Sequence, residues 1–230
     1  MRKILNKLLE AHGYRIERIS HFSRLLKQLA QRKPLFKFVQ VGANDGVRFD
    51  SLYFFVTDHN CQGLVIEPLP DMFERLRLNY MDYPKITPLN IALHPTAHES
   101  TIYRVDPKQI GNFPSWVAGT ASFLPDYHER TGIPKEAIIT ETVKCQPLMQ
   151  VLEAHGMLDA DLLQIDTEGF DAEILKMADF SRFKPTLIKF EHKHLQKEDL
   201  ISVTSLLKNS GYQVFEDGSD TVAFRPQGLQ

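Results

Sequence analysis

The 230-residue chain is poor in several kinds of residue, and each scarcity excludes a class of protein. Its two cysteines, Cys61 and Cys145, form no C-x-x-C motif, which excludes a disulfide framework and predicts reduced thiols in the cytoplasm. No apolar run approaches the roughly 18 residues of a transmembrane helix, and charges interrupt the apolar residues near the N-terminus. We therefore expect neither a membrane span nor a secretory leader. The net charge of −2 predicts no general binding to nucleic acid.

Two phosphate-binding motifs are also missing. The dinucleotide fingerprint G-x-G-x-x-G is absent because position 44 is Asn, and no Gly-Lys-Ser/Thr follows the glycines. What is present is an apolar run, 36–41, that ends at Gly42 and Gly46. This pattern predicts a buried parallel strand, a tight turn and then a helix. Gly42 allows a sharp turn, and Gly46 is expected to let a ligand approach the backbone closely.

A carboxylate ends the next predicted strand, 63–67. Glu67 follows Gly46 by 21 residues, and its oxygens can accept hydrogen bonds from both hydroxyls of a ribose. Because Asp45 and Glu67 are both acidic, the pocket repels a pyrophosphate and suits a ligand with an ammonium and a sulfonium group. The pattern therefore indicates S-adenosylmethionine, and a strand, turn and helix that only pack together is the alternative.

The order of elements predicts an α/β fold. Strands and helices alternate up to a final hairpin of 212–215 and 221–224, which predicts a mostly parallel sheet with one antiparallel strand near its edge. This order resembles the seven-stranded Rossmann-like fold of class I methyltransferases. We expect residues 34–230 to form that domain and residues 1–33 to form a basic helical extension.

The extension is strongly basic. Residues 1–33 hold nine Lys or Arg and two Glu, a charge of +7, which leaves −9 for the remainder. Helices are expected over 1–12 and 19–31, each with an apolar face. They either cap the domain or form part of a dimer interface, or they attach the protein to an anionic membrane surface or an acidic partner.

The segment 106–140 is irregular and rich in Pro, Gly and aromatic residues. A loop this long is often functional, so we interpret it as a lid on the substrate side, with Thr120-Ala121-Ser122 near the cofactor. Phe113, Trp116 and Tyr127 could stack on a sugar ring. The alternative is a surface excursion with its own small aromatic cluster.

A second informative stretch, Leu163 to Phe170, is a buried strand that ends in Asp166-Thr167-Glu168-Gly169. Together with Val41 to Gly46, Ile66-Glu67-Pro68, Asn90 to Leu93, Gly119 to Ser122 and Glu191, it resembles the FkbM family of S-adenosylmethionine-dependent methyltransferases. The resemblance covers residues 36–225 and leaves out 1–33. It implies an O-methyltransferase acting on hydroxyls of glycans, lipid-linked sugars or related natural products.

The resemblance also implies positions for the cofactor. The Gly turn would hold the methionine portion, Glu67 the ribose, and the 90–92 segment the adenine, while Asp166 faces the reacting centre. The expected cofactor-binding residues are Gly42, Ala43, Asn44, Asp45, Gly46, Glu67, Pro68, Asn90, Ile91, Ala92, Ser122 and Asp166.

A sugar hydroxyl must lose its proton during methyl transfer, so a base within reach would help. We expect Asp166, Glu191 and His192 to be the catalytic residues, with Glu168 and His194 as further candidates. A divalent metal is an open alternative: Asp166 and Glu191 could ligate Mg²⁺, and His192-x-His194 a softer metal. Each histidine could also be an ordinary surface residue, and Asp166 could simply cap the helix that follows.

Two other functions remain as alternatives. A nicotinamide-dependent oxidoreductase would share the ribose contact of Glu67 but lacks the glycine fingerprint. A non-catalytic nucleoside-binding or scaffold protein would keep the pocket without the reaction. The sequence does not identify the acceptor, the metal requirement or the oligomeric state.

Overall fold

The computed structural model describes residues 20–48, 50 and 52–229. The expected helix over 1–12 lies outside them, as do Phe49 and Ser51. The helices are α1 His21–Ala30, α2 Tyr53–Asp58, α3 Pro70–Asn79, α4 Tyr127–Arg130, α5 Leu148–Ala154, α6 Asp171–Met177 and α7 Lys197–Asn209. The strands are β1 Phe36–Val41, β2 Cys61–Ile66, β3 Ile86–Leu89, β4 Ala92–Leu93, β5 Glu99–Val105, β6 Ala121–Ser122, β7 Ile138–Gln146, β8 Leu162–Ile165, β9 Leu187–Glu191, β10 Gln213–Asp217 and β11 Asp220–Phe224.

The main sheet has seven strands in the order β10-β11-β9-β8-β1-β2-β3. Neighbours from β9 to β3 pair in parallel, whereas β11 is antiparallel to both β9 and β10. This arrangement confirms the predicted seven-stranded, mostly parallel sheet with an antiparallel C-terminal hairpin. The chain leaves the centre of the sheet in one direction through β1, β2 and β3 and in the other through β8 and β9. A crevice therefore opens at the carboxyl ends of β1 and β8, where such sheets bind ligands.

The apolar sequence of β1 follows from its position, because both faces of the sheet are covered. Phe36 and Phe38 pack in one cluster with residues of α1 and α2. Val39 and Val41 point to the opposite face and pack with residues of α5 and α6. Because both faces of a central parallel strand are covered, four of the six residues of β1 are apolar; the other two are Lys37, which pairs with the exposed Asp159, and the buried Gln40.

A second sheet is inserted between β3 and β8, with the order β4-β7-β5-β6. Its longest pairing is between the antiparallel strands β5 and β7. The register runs from Glu99 opposite Lys144 to Val105 opposite Ile138. The buried side chain of Arg104 fastens this sheet to α3, since Nη1 and Nη2 lie 2.7 and 2.9 Å from the carboxylate oxygens of Asp71. The expected irregular segment 106–140 supplies β6, α4 and three short 3₁₀ turns to this layer.

Helix α1 packs against the main sheet. Ser20 caps it by accepting a hydrogen bond from the backbone N–H of Ser23, and the N–H of Phe22 donates to Asp217 at the sheet edge. Its apolar face, which includes Phe22 and Leu26, is buried in the same cluster as β1. This agrees with the capping interpretation for 19–31. The division after residue 33 stays a prediction, as does membrane or dimer contact through 1–33.

Within the described ranges, no helix is both long enough and apolar enough to cross a bilayer.

Candidate active site

A cavity of about 650 Å³ lies over the carboxyl ends of the central strands. Its volume is within the range of about 300–1,000 Å³ that is usual for small-molecule sites. The inserted sheet and the 106–140 segment cover one side, where Trp116 contributes exposed aromatic surface and Tyr127 lies almost fully buried behind it. The predicted site residues that line the cavity are Gly42, Ala43, Asn44, Glu67, Pro68, Ile91, Ala92, Asp166 and Glu191.

The turn after β1 requires glycine at position 42. Gly42 has a φ of +78°, and a Cβ there would lie 1.8 Å from the backbone oxygen of Asp166. The turn thus brings the ends of β1 and β8 into direct contact. Position 46 requires glycine for a different reason. A Cβ added there would lie 2.6 Å from Leu76 of α3 and 2.9 Å from Tyr80, which follows α3 directly. Gly46 therefore allows helix packing, and the structure does not place it on the cavity wall.

Glu67 is buried, and both of its carboxylate oxygens accept backbone hydrogen bonds. Oε2 accepts from the N–H of Asn44 at 2.8 Å, and Oε1 accepts from the N–H of Leu69 at 2.9 Å. A carboxylate has about four acceptor positions, so about two remain for a ligand. These bonds fix the side chain at the cavity wall, as a ribose-binding group requires.

Four predicted cofactor-binding residues lie behind the wall and hold its shape. Asp45 accepts hydrogen bonds from the N–H groups of Val47 and Arg48. Asn90 donates to the backbone oxygens of Glu67 and Pro68 at 2.9 and 3.0 Å. The hydroxyl of Ser122 donates to the backbone oxygen of Glu168 at 2.8 Å. With Gly46, these residues position others rather than line the cavity themselves.

Carboxylates gather at the ends of β8 and β9. Asp166, Glu168 and Glu191 all line the cavity, and Asp166 is the most exposed of the three because its side chain faces the open space. Glu168 has a φ of 55°, an uncommon conformation for a non-glycine residue, and its carboxylate accepts a hydrogen bond from the hydroxyl of Tyr127. The D-x-E-G motif therefore directs two acids into one cavity.

Asp171 organises this end of the sheet, a role that sequence reasoning missed. Its Oδ2 accepts from the N–H and hydroxyl of Thr167, and its Oδ1 accepts from the N–H of Glu191 at 3.1 Å. The fully buried carboxylate thus ties the loop after β8 to the end of β9. The sequence signal was weak, because an acid at the start of a helix usually serves the helix itself.

The two neighbouring histidines point to different places. His192 Nδ1 lies 3.0 Å from the hydroxyl of Thr221, and its ring does not line the cavity. His194 does line the cavity, with Nε2 3.6 Å from Oε2 of Glu191. The reach of a side chain in the loop after β9 depends on the turn there, which the sequence pattern does not define.

Desolvation shifts the carboxyl groups around the cavity toward neutral pKa values. Burial raises the pKa of Glu67 to about 7, that of Asp171 to about 6 and that of Glu191 to about 8. Asp166 is open to the cavity, but the protein around the cavity removes part of its hydration; this desolvation, followed by repulsion from Glu168 and Asp171, also raises the pKa of Asp166. Carboxyls that titrate near neutral pH are suited to exchange protons with a substrate.

Solved structures with the same architecture are methyltransferases. The structure titled methyltransferase FkbM from Methylobacillus flagellatus KT is 16% identical with a TM-score of 0.53, over 83% of this chain and 44% of that one. The METTL16 methyltransferase domain is 12% identical with a TM-score of 0.50, over 89% of this chain and 66% of that one. At these identities the likeness shows the fold, which is that of class I methyltransferases.

The family follows from the sequence itself. The family model described as "Methyltransferase FkbM domain" matches residues 40–214, which is more than half of the chain. The chain belongs to the FkbM methyltransferase family and is an S-adenosylmethionine-dependent methyltransferase. No curated protein shows significant similarity to it.

The cavity fits the cofactor that this family implies. Glu67 keeps acceptor positions for a ribose diol, and the backbone of Gly42 to Asn44 lies on the same wall. Five acidic residues line the cavity against three Lys or Arg, and this excess of negative charge favours a positively charged sulfonium ligand. The residues present therefore agree with S-adenosylmethionine at the ends of β1 and β2.

Proposed function

We propose that this enzyme methylates a hydroxyl oxygen of a carbohydrate, glycolipid or related natural product. S-adenosylmethionine supplies the activated methyl group. The protein must then hold the acceptor oxygen in line, exclude water and take up the hydroxyl proton. The observation that carries the proposal is that Asp166 and Glu67, which follow the two strands on either side of β1, line the same cavity.

We assign Asp166 as the proton acceptor. It is open to the cavity, no hydrogen bond from a described residue occupies its carboxylate, and its raised pKa makes it a stronger base than an ordinary aspartate. Glu191 is less suited, because its Oε2 atom is enclosed by protein. His192 faces Thr221 and is not part of the proposed catalytic group.

Aromatic surface supports a carbohydrate acceptor. Trp116 lines the cavity and is 37% exposed, so part of its indole remains available to a ligand. Tyr127 lines the same side, whereas Phe113 packs in a small cluster of the inserted layer. A sugar ring can stack on such a surface while its hydroxyls reach the acids.

The test is transfer of an isotopically labelled methyl group from S-adenosylmethionine to a panel of oligosaccharides and glycolipids, read by mass spectrometry. Asp166→Asn should lower kcat about 100-fold or more, since general bases contribute about 10²–10⁴. Asp159→Asn, at the exposed ion pair with Lys37, is the matched control and should leave kcat unchanged. Full activity in Asp166→Asn would contradict the assignment, and cofactor binding without transfer to any acceptor would favour the non-catalytic alternative.

We also propose a cellular compartment for the enzyme and a role for its N-terminal extension. Both cysteines are buried and unpaired, which supports a reducing compartment such as the cytoplasm. Contact with anionic membranes or a second copy through residues 1–33 is tested by deleting residues 1–18, which retains Ser20 and α1. Unchanged liposome sedimentation and oligomer mass would contradict both uses for residues 1–18.

A further inference from the structure

We propose that Glu168, Glu191 and His194 bind a divalent transition-metal ion at the side of the cavity next to Asp166. Each residue offers one ligand atom, and these atoms lie within 4.8 Å of one another. They come from three points in the fold: the turn after β8, the end of β9 and the loop that follows. A single ion can contact all three and would join these segments.

An unpartnered atom points to a missing ligand at this place. Oε2 of Glu191 is buried and has no hydrogen-bond partner among the described residues, and Nε2 of His194 lies 3.6 Å from it. That distance is too long for a hydrogen bond. A buried acceptor without a partner is costly, so a bound ligand at this point explains it better than an empty pair. A metal ion between the two atoms would coordinate both.

Charge favours a cation at the same point. Glu168 and Glu191 lie close to Asp166 and Asp171, and each of these acids repels its neighbours. Of the cations near these acids, Lys193 is exposed and screened by solvent, and Lys189 is held in an ion pair with Asp220. A doubly charged ion held by two carboxylates would offset this excess of negative charge.

The residues around the three ligands are arranged to orient them. The hydroxyl of Tyr127 donates to Oε2 of Glu168, which leaves Oε1 for an ion. Asp171 accepts a hydrogen bond from the backbone N–H of Glu191 and thereby fixes the end of β9. Such outer contacts usually hold metal ligands in place.

The ligand types indicate the class of ion. Mg²⁺ and Ca²⁺ prefer oxygen ligands alone, whereas an imidazole beside two carboxylates suits Mn²⁺ and related transition metals. Binding of the ion does not depend on the identity of the methyl acceptor. If the proposed O-methylation is correct, the ion would lie near the acceptor oxygen, so the inference also bears on that reaction.

The experiment is titration of the EDTA-treated full chain with Mn²⁺ alone, followed by electron paramagnetic resonance and calorimetry. The wild type should bind one ion. Glu191→Gln and His194→Ala should each weaken binding at least about tenfold, the lower end of what changes around metal sites cause. His192→Ala is the matched control in the same loop, because His192 faces Thr221, and it should bind as the wild type does.

Folding and cofactor binding are measured in parallel. His194→Gln keeps a polar side chain at the position and guards against misfolding of the alanine variant. Absence of one-to-one Mn²⁺ binding, or equal binding by wild type and both ligand variants, would overturn the proposal. Because S-adenosylmethionine binding is measured without metal, its loss would count against the proposed function rather than against the metal site.

Discussion

Replacing Glu67 by glutamine tests whether this carboxylate holds the ribose of the cofactor. The two backbone N–H groups of Asn44 and Leu69 occupy about half of its acceptor positions. Glutamine removes the charge and replaces one oxygen with a donor, so at least one charge-assisted hydrogen bond to the ligand is lost. Such a bond contributes about 1.5–3 kcal/mol, which corresponds to about 10- to 100-fold weaker binding.

The same change should affect folding much less than binding. Burial raises the pKa of Glu67 from 4.5 to about 7, so ionising it in the folded state costs about 3 kcal/mol. Because the folded pKa is the higher one, this cost is absent below pH 4.5. It grows as the pH rises from 4.5 to about 7 and is constant above that. Glutamine removes the cost but loses one backbone hydrogen bond, worth about 1–3 kcal/mol, so the two effects nearly offset at pH 8.

The assay is isothermal calorimetry with S-adenosylmethionine at pH 8, with circular dichroism and melting curves on the same samples. Glu74→Gln is the matched control, because Glu74 is exposed on α3 and pairs with Arg77. The reasoning is refuted if Glu67→Gln folds like the wild type and binds the cofactor with wild-type affinity.

Three further predictions concern stability. The melting temperature, measured by differential scanning fluorimetry, should fall as the pH rises from 6 to 8.5. Buried acids such as Glu191, whose pKa is raised to about 8, ionise less favourably in the folded state than in the unfolded state. A rise in melting temperature would contradict this. Gly42→Ala should prevent stable folding, whereas Gly132→Ala, where φ is also positive but no atom lies within 4 Å of a Cβ, should cost only about 1–3 kcal/mol in urea unfolding. Arg104→Ala should lower the free energy of unfolding by about 1.5–3 kcal/mol, because it removes the charge-assisted hydrogen bonds of the buried guanidinium to Asp71 and Glu141, and a loss below 1 kcal/mol would show that the inserted sheet is held by other contacts.

The central strands could be predicted from sequence because their environment imposes a simple pattern. β1 has the predicted bounds 36–41, and β11 lies at 220–224, where the second strand of the hairpin was expected at 221–224. A strand covered on both faces is mostly apolar, and a glycine or acid marks its end. The D-x-E-G motif could likewise be placed at the edge of the sheet, since parallel strands end at the same edge.

The inserted sheet could not be predicted in the same way. β5 and β7 lie on either side of the 106–140 segment, and their pairing depends on contacts between residues far apart in the sequence. Local patterns carry no information about such pairing, because each strand is largely polar and half exposed. The buried pair of Arg104 and Asp71 depends on that same tertiary contact.

The direction of side chains was the other property that could not be predicted from the sequence. Asp45, Gly46, Asn90 and Ser122 were expected to touch the cofactor, and the structure places them one layer behind the wall. In a tight turn, neighbouring side chains diverge according to backbone angles that sequence spacing does not specify. Their roles in cofactor binding therefore stay predictions that mutation can test.

The most direct measurement is titration of the purified wild-type protein with S-adenosylmethionine and, separately, with NAD⁺. The cavity at the ends of β1, β2 and β8 should bind the sulfonium compound with micromolar affinity and should not bind the dinucleotide, because the acidic turn lacks a phosphate-binding glycine pattern. Failure of folded protein to bind S-adenosylmethionine, or equal affinity for NAD⁺, would contradict the assignment of this cavity as the methyl-donor site.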